Sequence, residues 1–228
     1  MKKELFTFEV NKEIVKKVET KNGDDSITIT NEKSIEPVKI TLLVPSRRDK
    51  EEMSLVYNAK FSKCLALGIG TREMIRKAIL DGGGGQHSKL DIERLDTLVK
   101  VLSEKLAKAN DLSTEEEKAE SQKEVDSIVE EIDQLENLYK GVFEHSAEYN
   151  ATAEMISWCV LFLTKEGVND VFLGPTFDSK TKNYYDAEDE DNKFLVDVYY
   201  KSTVIYYCYL VKGISDKNDI ESIFNLSK

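Results

Sequence analysis

LDIERLDTLVKVLSEKLAKAN, residues 90–110, and VDSIVEEIDQLENLYKGV, residues 125–142, decide the fold. In the first, Leu95, Val99, Leu102, Leu106 and Ala109 recur in steps of four and three. In the second, Val125, Ile128, Ile132, Leu135, Tyr139 and Val142 recur in steps of three and four. Such spacing lays an apolar stripe along one side of a helix and leaves charges on the others. Between the two, Ser113 and Glu116 have the separation of a capping box. The pair predicts an antiparallel helical hairpin over residues 87–142.

Upstream of the hairpin the period changes. Leu5, Phe6, Phe8 and Val10, then Ile27 and Ile29, then Val38, Ile40, Leu42 and Val44 follow an alternating pattern, and Asn22-Gly23-Asp24-Asp25 carries turn chemistry. Residues 1–45 therefore predict a small antiparallel sheet of two or three strands. After Pro45 the period becomes helical: Met53, Val56, Tyr57, Lys60, Phe61 and Cys64 recur at three and four, with Ser46 ahead of an acidic first turn. Gly68 and Gly70 end that helix. Thr71 caps a second one through Leu80, and Asp81 to Gln86 forms a glycine-rich link, so that residues 46–86 are a helix pair with a flexible linker.

Downstream, residues 143–228 predict a helical core with an acidic loop. Met155 to Leu163 is apolar on every side, as in a buried helix, and ends at Lys165-Glu166-Gly167. Val171 to Pro175 reads as a short extended piece, and Asp178 to Asn192 as the acidic loop. Phe194 to Val211 is rich in Val and Tyr, but Leu195, Val198, Tyr199, Thr203, Tyr206 and Leu210 favour helix over strand. The fold class is thus mainly α with a small N-terminal antiparallel sheet, the long hairpin being inserted in a helical core.

Charge narrows the function. Against 32 Lys and Arg stand 43 Asp and Glu, a net charge of -11, which disfavours general binding to nucleic acid backbones. Arg47 to Lys77 is the exception, with eight basic residues against four acidic. Cys64, Cys159 and Cys208 are widely spaced in apolar surroundings, as reduced buried thiols are in a cytoplasmic protein. The first residues, MKKELFTFEVNKE, have no apolar core of a secretory signal, and no apolar stretch is long enough to span a membrane.

Motifs for chemistry are weak. Gly82 to Gly85 follows a helix and precedes Gln86-His87, whereas a phosphate loop needs a strand before it and Lys-Ser/Thr after it. An EF-hand loop from Asp186 would need glycine at its sixth position and glutamate at its twelfth, and it has Asp191 and Asp197. His87 and His145 stand without metal-ligand spacing. No nucleophile elbow is present. The expectation is a non-enzyme with no cofactor, no metal and no membrane partner. Tyr199, Tyr200, Tyr206, Tyr207 and Tyr209 fit a core first and an interface second. The candidate partner-binding residues are Arg47, Arg48, Arg72, Arg76 and Lys77 on the basic helices and Leu102, Leu106, Ile128 and Ile132 on the hairpin. The alternative is a regulator of nucleic acid using residues 71–80 as the second helix of a helix-turn-helix. That reading is opposed by Met74, Ile75, Ala78, Ile79 and Leu80, which leave few polar base readers.

From Pro45-Ser46-Arg47-Arg48 through Tyr57-Asn58-Ala59-Lys60-Phe61 and Gly68-Ile69-Gly70-Thr71-Arg72, and again at Val171-Phe172-Leu173-Gly174, Tyr184-Tyr185-Asp186 and Asp189-Glu190-Asp191, the chain resembles small virion-associated or tail assembly proteins of large tailed bacteriophages. The resemblance covers most of the chain from Pro45 onward. It implies a tail assembly chaperone or a minor tail or virion subunit that binds other virion proteins in the host cytoplasm or in the particle, with self-association left open, and no catalytic residues.

Overall fold

A computed structural model describes residues 3–21, 27–83, 85–109 and 114–226. The chain is divided into two units, one made of residues 1–57 and 153–228 and the other of residues 58–152.

The first unit is built on strands β1 (Glu4–Lys21) and β2 (Ile27–Leu43), antiparallel from Glu4 opposite Leu43 to Lys21 opposite Ile27. The three runs read from sequence are therefore two long strands, and the Asn22–Asp25 turn lies outside the described residues. A register shift between Glu4 and Phe6 breaks the alternation, so that Leu5 and Phe6 are both buried beside Phe8 and Val10. Opposite charges face each other at Glu9 and Lys39 and at Lys12 and Glu36, which favours this register over a slip of one.

Two further strands were not foreseen. β3 (Thr164–Glu166) pairs with Ile40 to Leu42 of β2, and β4 (Asn169–Asp170) folds back on β3 after Gly167, whose φ of 62 a glycine adopts without penalty. The sheet order is β1-β2-β3-β4, all antiparallel. Pro37 lies in β2 beyond the end of this third-strand pairing, where its missing N–H breaks no bond to β3.

Helix α1 (Arg47–Ala66) starts with Ser46 and Asp49 in reciprocal contact: Ser46 N donates to the Asp49 carboxylate at 2.8 Å and Asp49 N to Ser46 Oγ at 3.3 Å. The later helices are α2 (Arg72–Ala78), α3 (Gly85–Ala109), α4 (Glu115–Leu138), α5 (Lys140–Phe143), α6 (Ala147–Leu163), α7 (Phe177–Asp189), α8 (Lys193–Leu210) and α9 (Lys217–Leu226). The mainly α class with a small antiparallel sheet is what the chain adopts.

The first unit's core gathers the inner side of the sheet (Phe6, Phe8, Val10, Ile40, Leu42), the apolar run of α6 (Ile156, Trp158 to Leu161, Leu163) and α8 (Val198, Ile205, Tyr206). Burial on every side explains why Met155 to Leu163 lacks a polar face. Tyr206 is wholly buried, and its hydroxyl lies 3.1 Å from the Leu43 carbonyl and 3.2 Å from that of Leu163, joining α8 to the ends of β2 and α6. Ile220 of α9, a helix absent from the sequence reading, adds to the same core.

The acidic loop expected at Asp178 to Asn192 is instead α7. Thr176 and Ser179 close a capping box at its start, and its buried side is Lys180, Tyr184 and Ala187. A lysine in the first buried position hides the helical period. Lys180 is satisfied inside: its ammonium meets Asp170 Oδ2 at 3.0 Å, donates to the Phe172 carbonyl and stands 5.0 Å from the centre of the Phe162 ring. Gly174, just before α7, has φ 132, and a β-carbon there would stand 2.5 Å from Ser179 Oγ, so this turn requires glycine.

Candidate partner-binding site on the helical hairpin

The second unit presents the predicted hairpin. Helices α3 and α4 run antiparallel: Tyr139 donates to Asp91 at 2.7 Å, Arg94 pairs with Glu131 through two bonds of 2.8 and 3.0 Å, and Lys105 pairs with Glu124 at 2.5 Å. Partners thus advance along one helix as they retreat along the other. The Arg94 hydrogen bonds hold the Glu131 carboxyl below its ordinary pKa. Ser113 lies outside the described residues. Thr114 and Glu117 form the reciprocal cap, with Thr114 N donating to the Glu117 carboxylate at 3.2 Å and Glu117 N to Thr114 Oγ1 at 3.3 Å.

One end of the hairpin is covered. Thr71 caps α2 by accepting from Met74 N, Gly70 accepts from Ala147 N at 3.0 Å, and Arg72 N donates to the Glu148 carboxylate at 2.9 Å. Beyond α2, Ile79–Gly83 leads on through a kink at Gly82, whose φ of 105 is non-helical; of the glycine-rich link expected at Asp81 to Gln86, Gly84 lies outside the described residues. This arrangement sets Ile75, Ile79 and Leu80 against Ile92, Phe143 and Tyr139. Arg76 forms an ion pair with Asp96 of α3.

Burial corrects the hairpin seam. Ile92, Leu95, Leu98 and Val125 are buried, while Val99, placed in the seam by the sequence reading, is 51% exposed. Residues 98 and 99 both follow Leu95 at helical spacing, and the position of α4 selects Leu98. Leu102, Ile128 and Ile132 are half-buried, Leu106 is 50% exposed, and Val129 is 39% exposed. Val129 escaped the sequence reading because its neighbours Ile128 and Ile132 carry the heptad.

The basic candidates separate. Arg47 is exposed and pairs with Glu51 one turn on, and Arg48 is exposed. Of the basic stripe on α2, Arg76 is engaged by Asp96, the Arg72 guanidinium lies 5.5 Å from the centre of the Phe143 ring, and Lys77 is exposed. Arg72, Arg76 and Lys77 therefore share a short helix, but two of the three face their own unit.

The first unit offers a cleft of about 250 Å³ lined by Phe172, Lys180, Asn183, Tyr184, Asp186 and Glu190. Its ammonium is held by Asp170 and the Phe172 carbonyl. Burial pushes the Tyr184 hydroxyl well above its ordinary pKa, with the nearby Glu188 carboxylate adding to the shift, so it stays protonated. The tyrosines of α8 divide by side: Tyr206 is in the core, Tyr199 donates to Ser157 Oγ at 2.9 Å, and Tyr200 and Tyr207 are 61% and 40% exposed. Among the described residues no group of three His, Cys, Asp or Glu is placed to hold a metal ion, and no helix is long and apolar enough to cross a membrane.

Comparison of the chain with protein-family models, with curated proteins and with solved structures finds no match in any of the three.

Proposed function

We propose that this protein works by gripping other proteins with the α3–α4 hairpin, and that its setting is the assembly of a tailed phage particle. The observation that carries the protein-binding reading is the course of one stripe on α3. Ile92 is buried in a cluster with Ile79 and Phe143 against which Ile75 and Leu80 pack, Leu95 is buried one turn on, and Val99, next in the same stripe, is half-exposed, as is Val129 on α4. Isolated exposed valines are ordinary surface. Valines that continue a buried stripe extend an apolar surface of the kind on which an amphipathic helix can lay its own apolar face. The setting rests on the resemblance of the Pro45 to Arg72 and Val171 to Asp191 segments to phage tail assembly proteins. Within it, the protein acts as a tail assembly chaperone or a minor virion subunit, without catalysis.

The test is affinity capture from infected cells with the wild-type chain and with a Val99→Asn/Val129→Asn variant. Wild type is expected to retain tail or other virion proteins, and the variant to lose them. Capture of no virion protein by wild type removes the phage setting. Equal capture by both removes the hairpin as the grip. The alternative reading, a nucleic-acid regulator using residues 71–80, predicts a salt-sensitive gel shift lost on reversing Arg72, Arg76 and Lys77.

A further inference from the structure

The groove beside Val99 has a definite side and a definite charge. Arg94–Glu131 and Lys105–Glu124 close one flank of the hairpin. At about 100° per residue, Val99 lies roughly 120–140° around α3 from Arg94 and Lys105, and Val129 roughly 140–160° around α4 from Glu131 and Glu124. Both valines are therefore on the other flank. Antiparallel pairing between those two ion pairs also brings Val99 level with Ile128 and Val129. The same flank of α3 carries Asp96, the partner of Arg76, so α2 already occupies the lower part of this groove.

We infer that the open part of the groove takes a basic amphipathic helix from another protein, one that continues the place α2 holds in the bundle. This deepens the hairpin reading and rests on it. The in-chain occupant shows what the groove accepts: aliphatic Ile75 and Ile79 inward, and a guanidinium, Arg76, reaching a carboxylate on the rim. Further along, Asp126, which accepts from Gln122 at 2.7 Å, and Asp133 stand three residues before and four after Val129, at helical spacing from it, and both are exposed. Helix α4 holds ten Asp and Glu against two Lys, and only two of the ten, Glu124 and Glu131, are taken by the ion pairs on the other flank. Lys100 on the α3 rim is far from offsetting that excess. A second copy of the chain would bring its own acidic α4 and a net charge of -11, and a nucleic acid would bring phosphates. A helix with aliphatic residues on one side and Lys or Arg beside them meets both the stripe and the rim.

The 228-residue chain is titrated into two fluorescein-labelled synthetic helices that share one Leu/Ile side and differ only in Lys or Glu flanks, read by fluorescence anisotropy. The Lys-flanked helix is expected to bind about tenfold tighter, an advantage that shrinks as NaCl is raised. Val99→Asn/Val129→Asn should weaken that binding about fivefold or more, by loss of the apolar contact. Asp126→Lys/Asp133→Lys should reverse the preference, a change that misfolding does not produce. Equal or tighter binding of the Glu-flanked helix, or no binding of either, overturns the inference. So does a dimer in sedimentation that Val129→Asn dissociates, since a second copy would then be the occupant. If the peptides fail while capture of virion proteins still depends on Val99 and Val129, only the partner's chemistry is wrong. If capture is also indifferent to them, the hairpin reading falls with it.

Discussion

Replacing Lys180 tests how the first unit is held together. Its ammonium satisfies the carbonyl of Phe172, a residue 2% exposed, and Lys180 itself is 1% exposed. In Lys180→Ala that carbonyl loses its donor, at a cost of about 1–3 kcal/mol. Asp170 is 41% exposed and keeps Lys165, so loss of its second partner costs about 1 kcal/mol or less, well short of a fully buried pair. The γ, δ and ε methylenes leave a gap at roughly 0.8 kcal/mol each. The total comes to about 5 kcal/mol, of which Lys180→Met should recover about half by keeping the stem. For a chain of this length that corresponds to a fall in Tm of roughly 10–20 °C for alanine. Trp158, the sole tryptophan, is 7% exposed and stacks on Phe162 at 4.9 Å, so its fluorescence in a urea titration reports on this unit. An alanine variant within about 0.5 kcal/mol of wild type, the ordinary scatter of surface substitutions, would refute the reasoning. So would a methionine variant as damaged as alanine.

Three other outcomes are expected. Ile92→Ala, at a position 0% exposed beneath Ile79 and Phe143, should cost about 2–5 kcal/mol, seen as an earlier helical melt by circular dichroism. Burial, with Asp49 nearby, pushes the Cys159 thiol up to about 12, and Cys64 and Cys208 are also buried; a thiol reagent should find almost nothing in the native protein and three equivalents in denaturant. Burial alone would raise the Asp170 carboxyl, but hydrogen bonds from Lys165 and Lys180 outweigh it and hold it below its ordinary value. A depressed folded-state pKa gives stability that is present above the unfolded value of about 3.9 and lost as pH falls through the lower one. Urea midpoints read on Trp158 should therefore drop below about pH 4 in wild type, and drop less in Asp170→Asn.

Periodicity made the hairpin, the two N-terminal strands and α8 legible, because each repeats its apolar residues over three turns or six strand positions and more. It failed where the repeat was short or chemically disguised. β3 and β4 hold three and two residues, too few to show alternation. α7 puts Lys180 in a buried position, so the stretch looks like a solvated loop until Asp170 and the Phe172 carbonyl are seen to receive the ammonium. At the candidate site, Leu102, Ile128 and Ile132 were visible as a stripe. Which of Leu98 and Val99 is covered was not, because it depends on where α4 comes to lie. The pairing of Arg76 with Asp96, which turns a basic stripe inward, joins positions twenty apart and leaves no local trace.

The division of the chain also sets an order of events during synthesis. Residues 58–152 form one unit, and the other needs residues from both sides of that stretch. The hairpin unit is thus fully translated while β2 still lacks β3 and the core still lacks most of α6 and all of α8. At about 5–20 residues per second, the ribosome takes roughly 4–15 s to supply the remaining segment. During that interval Phe6, Phe8, Ile40 and Leu42 have no completed core to enter, and the nascent chain depends on charges such as Glu9, Lys12, Glu36 and Lys39 to keep the early ribbon in register and out of aggregates.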